Sequence, residues 1–370
     1  MNKAHLKNHI INLFGWKTNR KIIVFESDDW GTIRMASKEA FQRLLKKGYP
    51  VDKCAYNSND ALENNDDLEK LGNVLLAVKD KNNRPAKFTI NNIVANPDFD
   101  KIRHSDFLKY YFEPFTTTLK RYKNTNKVLS LYKKGIGEKF FQPQFHGREH
   151  VHVNRWLKAL GDKEKGFTDA FKENMFSNAT TIKPIGRRSF LDSFGKEAES
   201  EYETYENIIK EGTQLFKRIW GFSSKTFIAP CYVWSEALEP ILKQKGIIGI
   251  QGTHVQRIPL NSGQYKIKKK YHYTGQKNKH GQFYLVRNVF FEPTEYGSKD
   301  AVQKALFQID NAFRHKKPAI ISSHRVNYIG SINPENRNKN LKLLEELLLK
   351  ITNKYPNAEF MSSDELLMLL

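Results

Sequence analysis

Two adjacent carboxylates are the first candidates for chemistry in this sequence. Asp28 and Asp29 stand in the segment FESDDW, directly after a short apolar run. Neighbouring acids repel each other unless a cation or a shared proton relieves the repulsion. Because neighbouring residues on an extended chain point in opposite directions, one carboxylate can bind a metal ion while the other faces a substrate. Taken alone, such a pair is more often a helix cap or part of a turn.

Two histidines four residues apart are a second candidate. His146 and His150 stand in HGREH, and on one helical turn their imidazoles would share a face and hold a single ion. An isolated pair of this kind is more often at the surface or satisfied by backbone groups in the core. Two histidines with one carboxylate, however, form a known open metal site with positions left for water and substrate. His152 is expected to face elsewhere.

A third candidate, His324, follows an apolar run in the segment IISSHRVNY. A histidine at the end of a buried strand can serve as a general acid at neutral pH. For this residue alone, a structural hydrogen-bond donor is an equally good interpretation.

The order of the surrounding elements predicts that these side chains meet. Apolar segments typical of buried strands alternate with amphipathic helical segments, which favours a parallel sheet covered by helices. The carboxyl ends of parallel strands converge on one face, where active sites are built. Periodicity does not distinguish a closed barrel from an open, doubly wound sheet. The main predicted strands span residues 21–27, 87–94, 140–145, 225–229, 247–250, 283–290 and 318–322.

Composition narrows the class of protein. The 370 residues are 39% hydrophobic and 12% aromatic, which fits a folded chain and excludes a disordered or fibrous one. Lys and Arg residues together exceed Asp and Glu residues by 21. This excess of positive charge favours an anionic partner, or it only makes the protein surface soluble. No nucleic-acid motif accompanies the lysines, so no nucleic-acid partner is expected. Cys54 and Cys231 form neither a disulfide framework nor a thiolate metal site.

No targeting segment is recognised in the sequence. The basic amino-terminal residues lack the continuous apolar core and the cleavage site of a signal peptide. No apolar stretch approaches the roughly 20 residues that a transmembrane helix needs. We therefore expect a cytoplasmic protein without a transmembrane segment.

Together these segments resemble the motifs of the polysaccharide deacetylases, the NodB-homology group of carbohydrate esterases. The first motif of that family ends in two aspartates, a base and a metal ligand, which match Asp28 and Asp29. Its second motif has two histidines four residues apart, which match His146 and His150. Its last motif is a histidine after an apolar strand, which matches His324. The resemblance implies an α/β fold, a distorted (β/α) barrel of about seven parallel strands of the NodB-homology type.

The resemblance also implies a domain organisation. Residues 18–370 would form a single deacetylase-like barrel domain, and residues 1–17 would be an amino-terminal extension. Residues 252–281, which are polar and rich in lysine, would be an insertion in the barrel.

The third motif of the family is altered in this chain. An arginine that pairs with the catalytic aspartate normally stands two residues before a proline, but Ile228 occupies that place in FIAPCYVW. The tyrosine after the proline comes one position late, as Tyr232. The aspartate–tryptophan motif that supports the catalytic histidine has no obvious match. We predict that Arg287 or Arg325 replaces the missing arginine beside Asp28.

The activity implied by the resemblance is the metal-dependent removal of N- or O-acetyl groups from a carbohydrate, either a glycan or a glycan precursor. Asp28 would act as the base and His324 as the acid. One divalent metal ion would bind Asp29, His146 and His150. Zinc is the first choice for such ligands, and cobalt, nickel or manganese would bind similarly.

Aromatic and basic side chains near these motifs are candidates for substrate contact. Aromatic faces suit sugar rings, although such residues more often belong to the core. Basic groups would suit a carbohydrate that is anionic or linked to lipid or phosphate. A backbone N–H around Cys231 or Tyr232 is expected to stabilise the oxyanion. The predicted substrate-binding residues are Trp30, Pro230, Cys231, Tyr232, Trp234, Arg287 and Arg325.

Two other functions remain open from the sequence. The missing third-motif arginine is compatible with a catalytically silent relative that binds glycan without cleaving it. A basic nucleic-acid binder is less favoured, and it predicts salt-sensitive binding to arbitrary oligonucleotides.

Overall fold

The computed structural model describes residues 8–177, 190–195, 201–260 and 266–370. Residues 1–7 of the expected extension and 261–265 of the expected insertion lie outside these ranges. The strands of the described part are β1 (Lys21–Trp30), β2 (Phe88–Ile93), β3 (Ala95–Pro97), β4 (Phe112–Pro114), β5 (Phe141–Gly147), β6 (Thr226–Ile228), β7 (Gly249–Gly252), β8 (Val255–Leu260), β9 (Lys266–Tyr271), β10 (Phe283–Val286), β11 (Val289–Phe290), β12 (Ala319–His324) and β13 (Ala358–Met361).

One parallel sheet runs in the order β10–β7–β6–β5–β2–β1–β12–β11, with β13 paired to the first half of β1. β10 and β11 are successive pieces of one extended segment, interrupted at Arg287 and Asn288. The N–H of Arg287 donates to Gly252 O beside β7 at 2.9 Å, and the N–H of Asn288 donates to Ile320 O of β12 at 3.1 Å. This segment therefore joins the two edges of the sheet. The predicted distorted barrel of about seven strands is confirmed, and the sheet is not open.

The interior of the barrel changes from apolar to charged along the strands. On β1, Ile22 and Val24 belong to a small apolar cluster that includes Leu366 near the carboxyl terminus. Glu26 and Asp28 continue the same alternate side of the strand, and both form ion pairs inside the barrel. The intervening residues of β1 pack in the main core beneath the helices. The apolar floor and the charged upper layer together place the reactive groups at the carboxyl ends of the strands.

Helices connect most of the strands and supply the apolar residues that cover the sheet. The helix Lys38–Lys46 begins directly after Ser37, whose side chain accepts a hydrogen bond from the Ala40 N–H as its N-cap. The helices of the described part are α1 (Lys38–Lys46), α2 (Ala55–Asn59), α3 (Asn65–Ala77), α4 (Phe99–His104), α5 (Phe115–Thr118), α6 (Val128–Gly137), α7 (Val153–Gly161), α8 (Lys165–Lys172), α9 (Glu201–Trp220), α10 (Glu239–Gln244), α11 (Pro293–Tyr296), α12 (Ala301–Arg314), α13 (Pro334–Lys354) and α14 (Ser363–Leu367).

The lysine-rich region after β7 forms an antiparallel hairpin, β8–β9, outside the barrel sheet. Exposed Arg257 and Lys269 stand opposite each other across the two strands and therefore share a face. The hairpin is tied to the barrel by a hydrogen bond of 3.2 Å from the Trp234 N–H to Arg257 O. It thus carries cationic side chains beside the segment that follows β6.

None of the described helices is long and apolar enough to cross a membrane.

Candidate metal centre and active site

The end of β1 turns both aspartates toward one cavity. Asp29 has a φ of 74°, which an L-residue rarely adopts, and the pairing of β1 with β2 shifts register between Ser27 and Trp30. The regular alternation of side chains is therefore broken at Asp29. Asp28 and Asp29 line the same cavity of about 190 Å³. The expectation that they point in opposite directions is wrong here, because the chain is no longer extended at Asp29.

The two histidines of HGREH reach this cavity without a helix. His146 lies at the end of β5, Gly147 has a φ of 130°, and His150 lies in the loop before α7. The helical turn expected for this pair is therefore wrong. A sharp turn at Gly147, which a side chain would disfavour, brings the two imidazoles together instead. Their ring centroids are 5.3 Å apart.

Asp29, His146 and His150 form a buried cluster with the donor set of a metal centre. The Nε2 atoms of both histidines lie 3.3 Å from Asp29 Oδ1, and one ligand atom from each residue lies within 4.8 Å of the others. Burial alone would raise the pKa of Asp29, but hydrogen bonds from His146 and His150 hold that pKa well below its usual value. Two imidazole nitrogens and one ionised carboxylate fit a divalent transition metal.

The ring of His146 is held for this role by the barrel. Its Nδ1 lies 2.9 Å from Ile228 O, a backbone acceptor at the end of β6. A carbonyl can only accept, so Nδ1 carries a proton, and Nε2 is the ring nitrogen that faces Asp29 and would bind a cation. Ile228 thus contributes through its backbone, although its side chain cannot pair with a carboxylate as an arginine at this position would.

Asp28 is locked by Arg287. The Nη1 and Nη2 atoms of Arg287 donate to Asp28 Oδ2 and Oδ1 at 2.6 Å each, and Asn91 Nδ2 donates to Oδ1 at 2.7 Å. Burial would raise the pKa of Asp28, but the guanidinium overrides this effect and lowers it to about 2. Arg287 also donates from Nε to Glu26 at 2.7 Å. Of the two arginines named from the sequence, Arg287 therefore lies against Asp28.

Arg325 lies elsewhere beneath the site. Its guanidinium is fully buried and donates to both oxygens of Asp60 and to Glu63. These bonds give Arg325 an ion-pair role in the protein interior, and it does not line the cavity.

His324 stands at the end of β12 and lines the same cavity as the candidate metal ligands. Its Nδ1 lies 2.7 Å from Glu292 Oε1, and its Nε2 lies 3.6 Å from Asp28 Oδ2. Burial alone would lower the pKa of His324, but Glu292 and Asp28 together raise it to about 10. His324 is therefore protonated at neutral pH and holds a proton on Nε2 that it can donate.

Glu292 is a functional residue that the sequence interpretation missed. It also accepts hydrogen bonds from the His324 N–H at 3.0 Å and from Asn327 Nδ2 at 2.8 Å, so its carboxylate is fixed in place. The signal was present, because Glu292 follows the apolar run VFF at the end of a predicted strand. The rule that selected the other strand-end residues would have selected this one as well.

The segment after β6 forms part of the cavity wall. Cys231 and Tyr232 line the cavity, whereas Pro230 is buried behind them. The Tyr232 N–H donates to Ala229 O at 2.9 Å, so it is not a donor for an oxyanion. The Tyr232 hydroxyl accepts a 3.1 Å hydrogen bond from Arg287.

The two predicted tryptophan platforms are core residues. Trp30 is fully buried, and its indole N–H donates to Ser27 Oγ at 2.9 Å. Trp234 is also buried, in the main core. Neither ring lines the cavity, so both contribute packing rather than a surface for a sugar.

Comparisons with known proteins find distant similarity only. No protein-family model matches the chain, and no curated protein sequence matches it significantly. Among solved structures, a Mycobacterium smegmatis protein assigned as a polysaccharide deacetylase is 7% identical, with a TM-score of 0.44 over 96% of this chain and 92% of that one. A Pseudomonas aeruginosa PAO1 protein with the same assignment is 7% identical, with a TM-score of 0.45 over 95% and 91%.

A 4-α-glucanotransferase from Thermococcus litoralis has a similar score. It is 10% identical, with a TM-score of 0.44 over 94% of this chain and 40% of that one. We draw no conclusion about activity from these similarities, and the function proposed below rests on the geometry of the site.

Proposed function

We propose that this protein is a metal-dependent hydrolase that removes acetyl groups from a carbohydrate. The observation that carries the proposal is the meeting, in one cavity, of a metal-type cluster (Asp29, His146 and His150) with an ionised carboxylate and a protonated imidazole. Hydrolysis of an amide or ester needs a polarised carbonyl, a base for water and an acid for the leaving group. The cavity contains candidates for all three tasks.

A divalent cation on the cluster would polarise the acetyl carbonyl and make a bound water more acidic. Asp28 is ionised across the physiological range, and its two bonds to Arg287 hold it in one orientation, so it is placed to accept a proton from the attacking water. His324 donates its Nε2 proton to the nitrogen or oxygen that leaves. Glu292 keeps this imidazole charged and oriented until the transfer. Asp28 and His324 are therefore the catalytic residues, and Arg287 and Glu292 position them.

The volume of the cavity is consistent with a site that accepts only the acetyl group of its substrate. Its 190 Å³ is smaller than the roughly 300–1,000 Å³ of pockets that enclose whole small molecules. An acetyl group fits inside, and the sugar that bears it would remain at the mouth. Such a cavity suits an acetyl group on a larger glycan or glycan precursor better than a free metabolite, which the cavity would have to enclose completely.

The alternative of a silent glycan-binding relative now has less support. It depended on the missing third-motif arginine, and Arg287 supplies a bidentate ion pair to Asp28 from another strand end. We therefore favour the enzyme. Zinc remains the first choice for the metal, although a site with two nitrogens and one oxygen also accepts cobalt, nickel or manganese.

Elemental analysis of the purified protein tests the metal centre directly. We expect about one transition metal ion per chain, as for a single open site, and its loss in Asp29→Ala and His146→Ala variants. His104→Ala is the matched control, because His104 is exposed on α4 and does not line the cavity. Acetate release from acetylated oligosaccharides should follow the metal content. A parent protein that binds no metal even after incubation with zinc would refute the proposal.

A further inference from the structure

Arg34, Arg287 and Arg325 all lie near the candidate site, and two of them are fully engaged. Arg287 is bonded to Asp28 and Glu26, and Arg325 is bonded to Asp60 and Glu63. The third, Arg34, lines the cavity itself. Within the described part of the chain Arg34 forms no hydrogen bond and no ion pair, and its Nε is buried without a partner.

An unpaired guanidinium in a partly buried position is unusual, because a charge removed from water is normally matched by an acceptor. Among the residues described, the close contact of Arg34 is aromatic: its Cζ lies 5.3 Å from the ring centroid of Tyr56, and its charge also acts on the carboxylate of Asp60. The oxygens of Asp60, a nearby carboxylate, both accept from Arg325 instead. The contact with Tyr56 holds the guanidinium of Arg34 at the cavity wall without using its N–H groups, which therefore remain available to a ligand.

The position of Tyr56 also shows where Arg34 lies relative to His324, the proposed general acid. The Tyr56 ring makes an edge-to-face contact with His324, with centroids 5.8 Å apart and an interplanar angle of 89°. Tyr56 therefore contacts both Arg34 and the proposed general acid, and all three residues line the same cavity. Since His324 protonates the leaving group, Arg34 lies on the side of the cavity where the sugar that leaves would be held.

We propose that Arg34 is a specificity residue that binds a carboxylate or phosphate on the sugar that bears the acetyl group, or on its neighbour. A guanidinium edge matches such an anion with two parallel hydrogen bonds, which a neutral hydroxyl cannot equal. This inference depends on the proposed function in one respect, namely that the substrate is an acetylated sugar. The substrate would be an acidic glycan, or a glycan precursor with a phosphate.

The rim of the cavity has matching charge. The Arg257 Nη1 donates to the backbone carbonyl of Cys231, a residue of the cavity wall, at 3.4 Å. Lys269, opposite Arg257 in the β8–β9 hairpin, is also exposed. Cations at the mouth of a cleft raise the local concentration of an anionic substrate. The hairpin would therefore attract the class of molecule that Arg34 would then hold.

Matched substrates test this inference on the metal-loaded protein. The first pair is a disaccharide of glucuronic acid and N-acetylglucosamine and its carboxyl-reduced counterpart, and the second is N-acetylglucosamine 1-phosphate and N-acetylglucosamine. We expect kcat/KM to be about 10-fold or more higher for the anionic member of one pair, as for a charged hydrogen-bonded contact. The pair that shows the preference identifies carboxylate or phosphate as the anion.

Variants assign the preference to the residue. Arg34→Gln should abolish the ratio between anionic and neutral substrates, and Arg34→Lys should retain part of it. Arg103→Gln, a change at an exposed arginine on α4 outside the cavity, should leave the ratio as in the parent. Equal hydrolysis of both members of both pairs by the parent, or an unchanged ratio in Arg34→Gln, would show that Arg34 is only a countercharge for the aspartates and overturn the inference.

Calorimetric binding of the same compounds separates this inference from the proposed function. If no acetyl group is released from any substrate but the anionic compound binds in an Arg34-dependent manner, the proposed hydrolysis fails and the anion site stands. If hydrolysis occurs without preference and binding does not depend on Arg34, the function stands and the anion site fails. If neither hydrolysis nor Arg34-dependent binding occurs, both fail.

Discussion

Arg287 and Asp28 are 259 residues apart in sequence and meet through two hydrogen bonds of 2.6 Å in the barrel interior. Both side chains are almost completely excluded from solvent. A bidentate pair in this environment fixes the plane of the carboxylate as well as its charge. The orientation of the proposed base is therefore determined by the strand segment that closes the barrel.

Replacement of Arg287 should damage both stability and activity. Arg287→Met leaves the carboxylates of Asp28 and Glu26 buried without their cation, so we expect a loss of about 3–5 kcal/mol in the free energy of unfolding. Activity should fall by about 100-fold or more, because Asp28 loses its orientation. Chemical denaturation and initial rates measure the two effects. The double variant Arg287→Met, Asp28→Asn should recover part of the stability, and a double variant no more stable than the single one would contradict a direct ion pair.

The pH profile should report the contact between Glu292 and His324. In the parent, His324 has a pKa of about 10, so the general acid stays protonated and activity should not decline between pH 7 and about pH 9. In Glu292→Gln the main source of the raised pKa is removed, and the alkaline limb of kcat should move toward neutral pH. Glu335→Gln, at the exposed start of α13 and outside the cavity, is the control. An unchanged alkaline limb in Glu292→Gln would argue against His324 as the acid.

The same pKa has a consequence for folding. A histidine whose pKa is raised in the folded state contributes stability that is complete below its ordinary pKa and is lost as the pH rises through about 10. The parent should therefore lose stability on the alkaline side more steeply than Glu292→Gln. Denaturation midpoints at pH 7 and pH 10 give this comparison.

Acid sensitivity should arise in part from Glu359 on β13. Hydrogen bonds from Arg20, together with Lys81, lower the pKa of Glu359 to about 2, so its contribution to stability is present above its ordinary pKa and is lost as the pH falls toward 2. Because Arg20 and Lys81 are 42% and 39% exposed, solvent screens the interaction, and we expect only about 1 kcal/mol. Glu359→Gln should show this deficit at pH 7 but not near pH 2. An equal deficit at both pH values would indicate packing instead.

Metal affinity should depend on the turn at Gly147. Gly147→Ala meets no close atoms, since the nearest is 3.5 Å from an added Cβ, but the φ of 130° is unfavourable for alanine. We expect the turn between His146 and His150 to shift and metal affinity to fall by about 10-fold or more, as when support for a ligand is lost. Gly161→Ala, at the helical end of α7 with open space around it, should be neutral or slightly stabilising. Equal metal affinity in both variants would contradict this role of Gly147.

Several features of the fold were predictable because they follow from local pattern. The apolar run of β1 predicts its strand within a few residues, and the strand-end rule brings Asp29, His146 and His324 to one face. The closure of the barrel was not predictable from periodicity. It depends on hydrogen bonds at Asn288 to a strand that comes later in the sequence.

Details of the site were less accessible for physical reasons. The turn at Asp29 depends on the register with β2, which composition does not report, so the two aspartates were expected on opposite sides. The histidine pair has helical spacing, yet Gly147 produces the same proximity in a loop. The burial of Trp30 and Trp234 depends on neighbours distant in sequence. The errors on the aspartates and the tryptophans concern long-range packing, whereas the error on the histidines concerns a local turn at a glycine.

The barrel interior is a shared space to which every strand can contribute a side chain. A guanidinium that the family motif would place two residues before Pro230 is supplied here from the break between β10 and β11, two strands away in the sheet. For the ion pair with Asp28, the position of the guanidinium in space matters, and the strand that carries the arginine does not. In this chain the guanidinium beside Asp28 therefore comes from a different strand than the sequence resemblance implied, and a comparison of motifs alone would record it as missing.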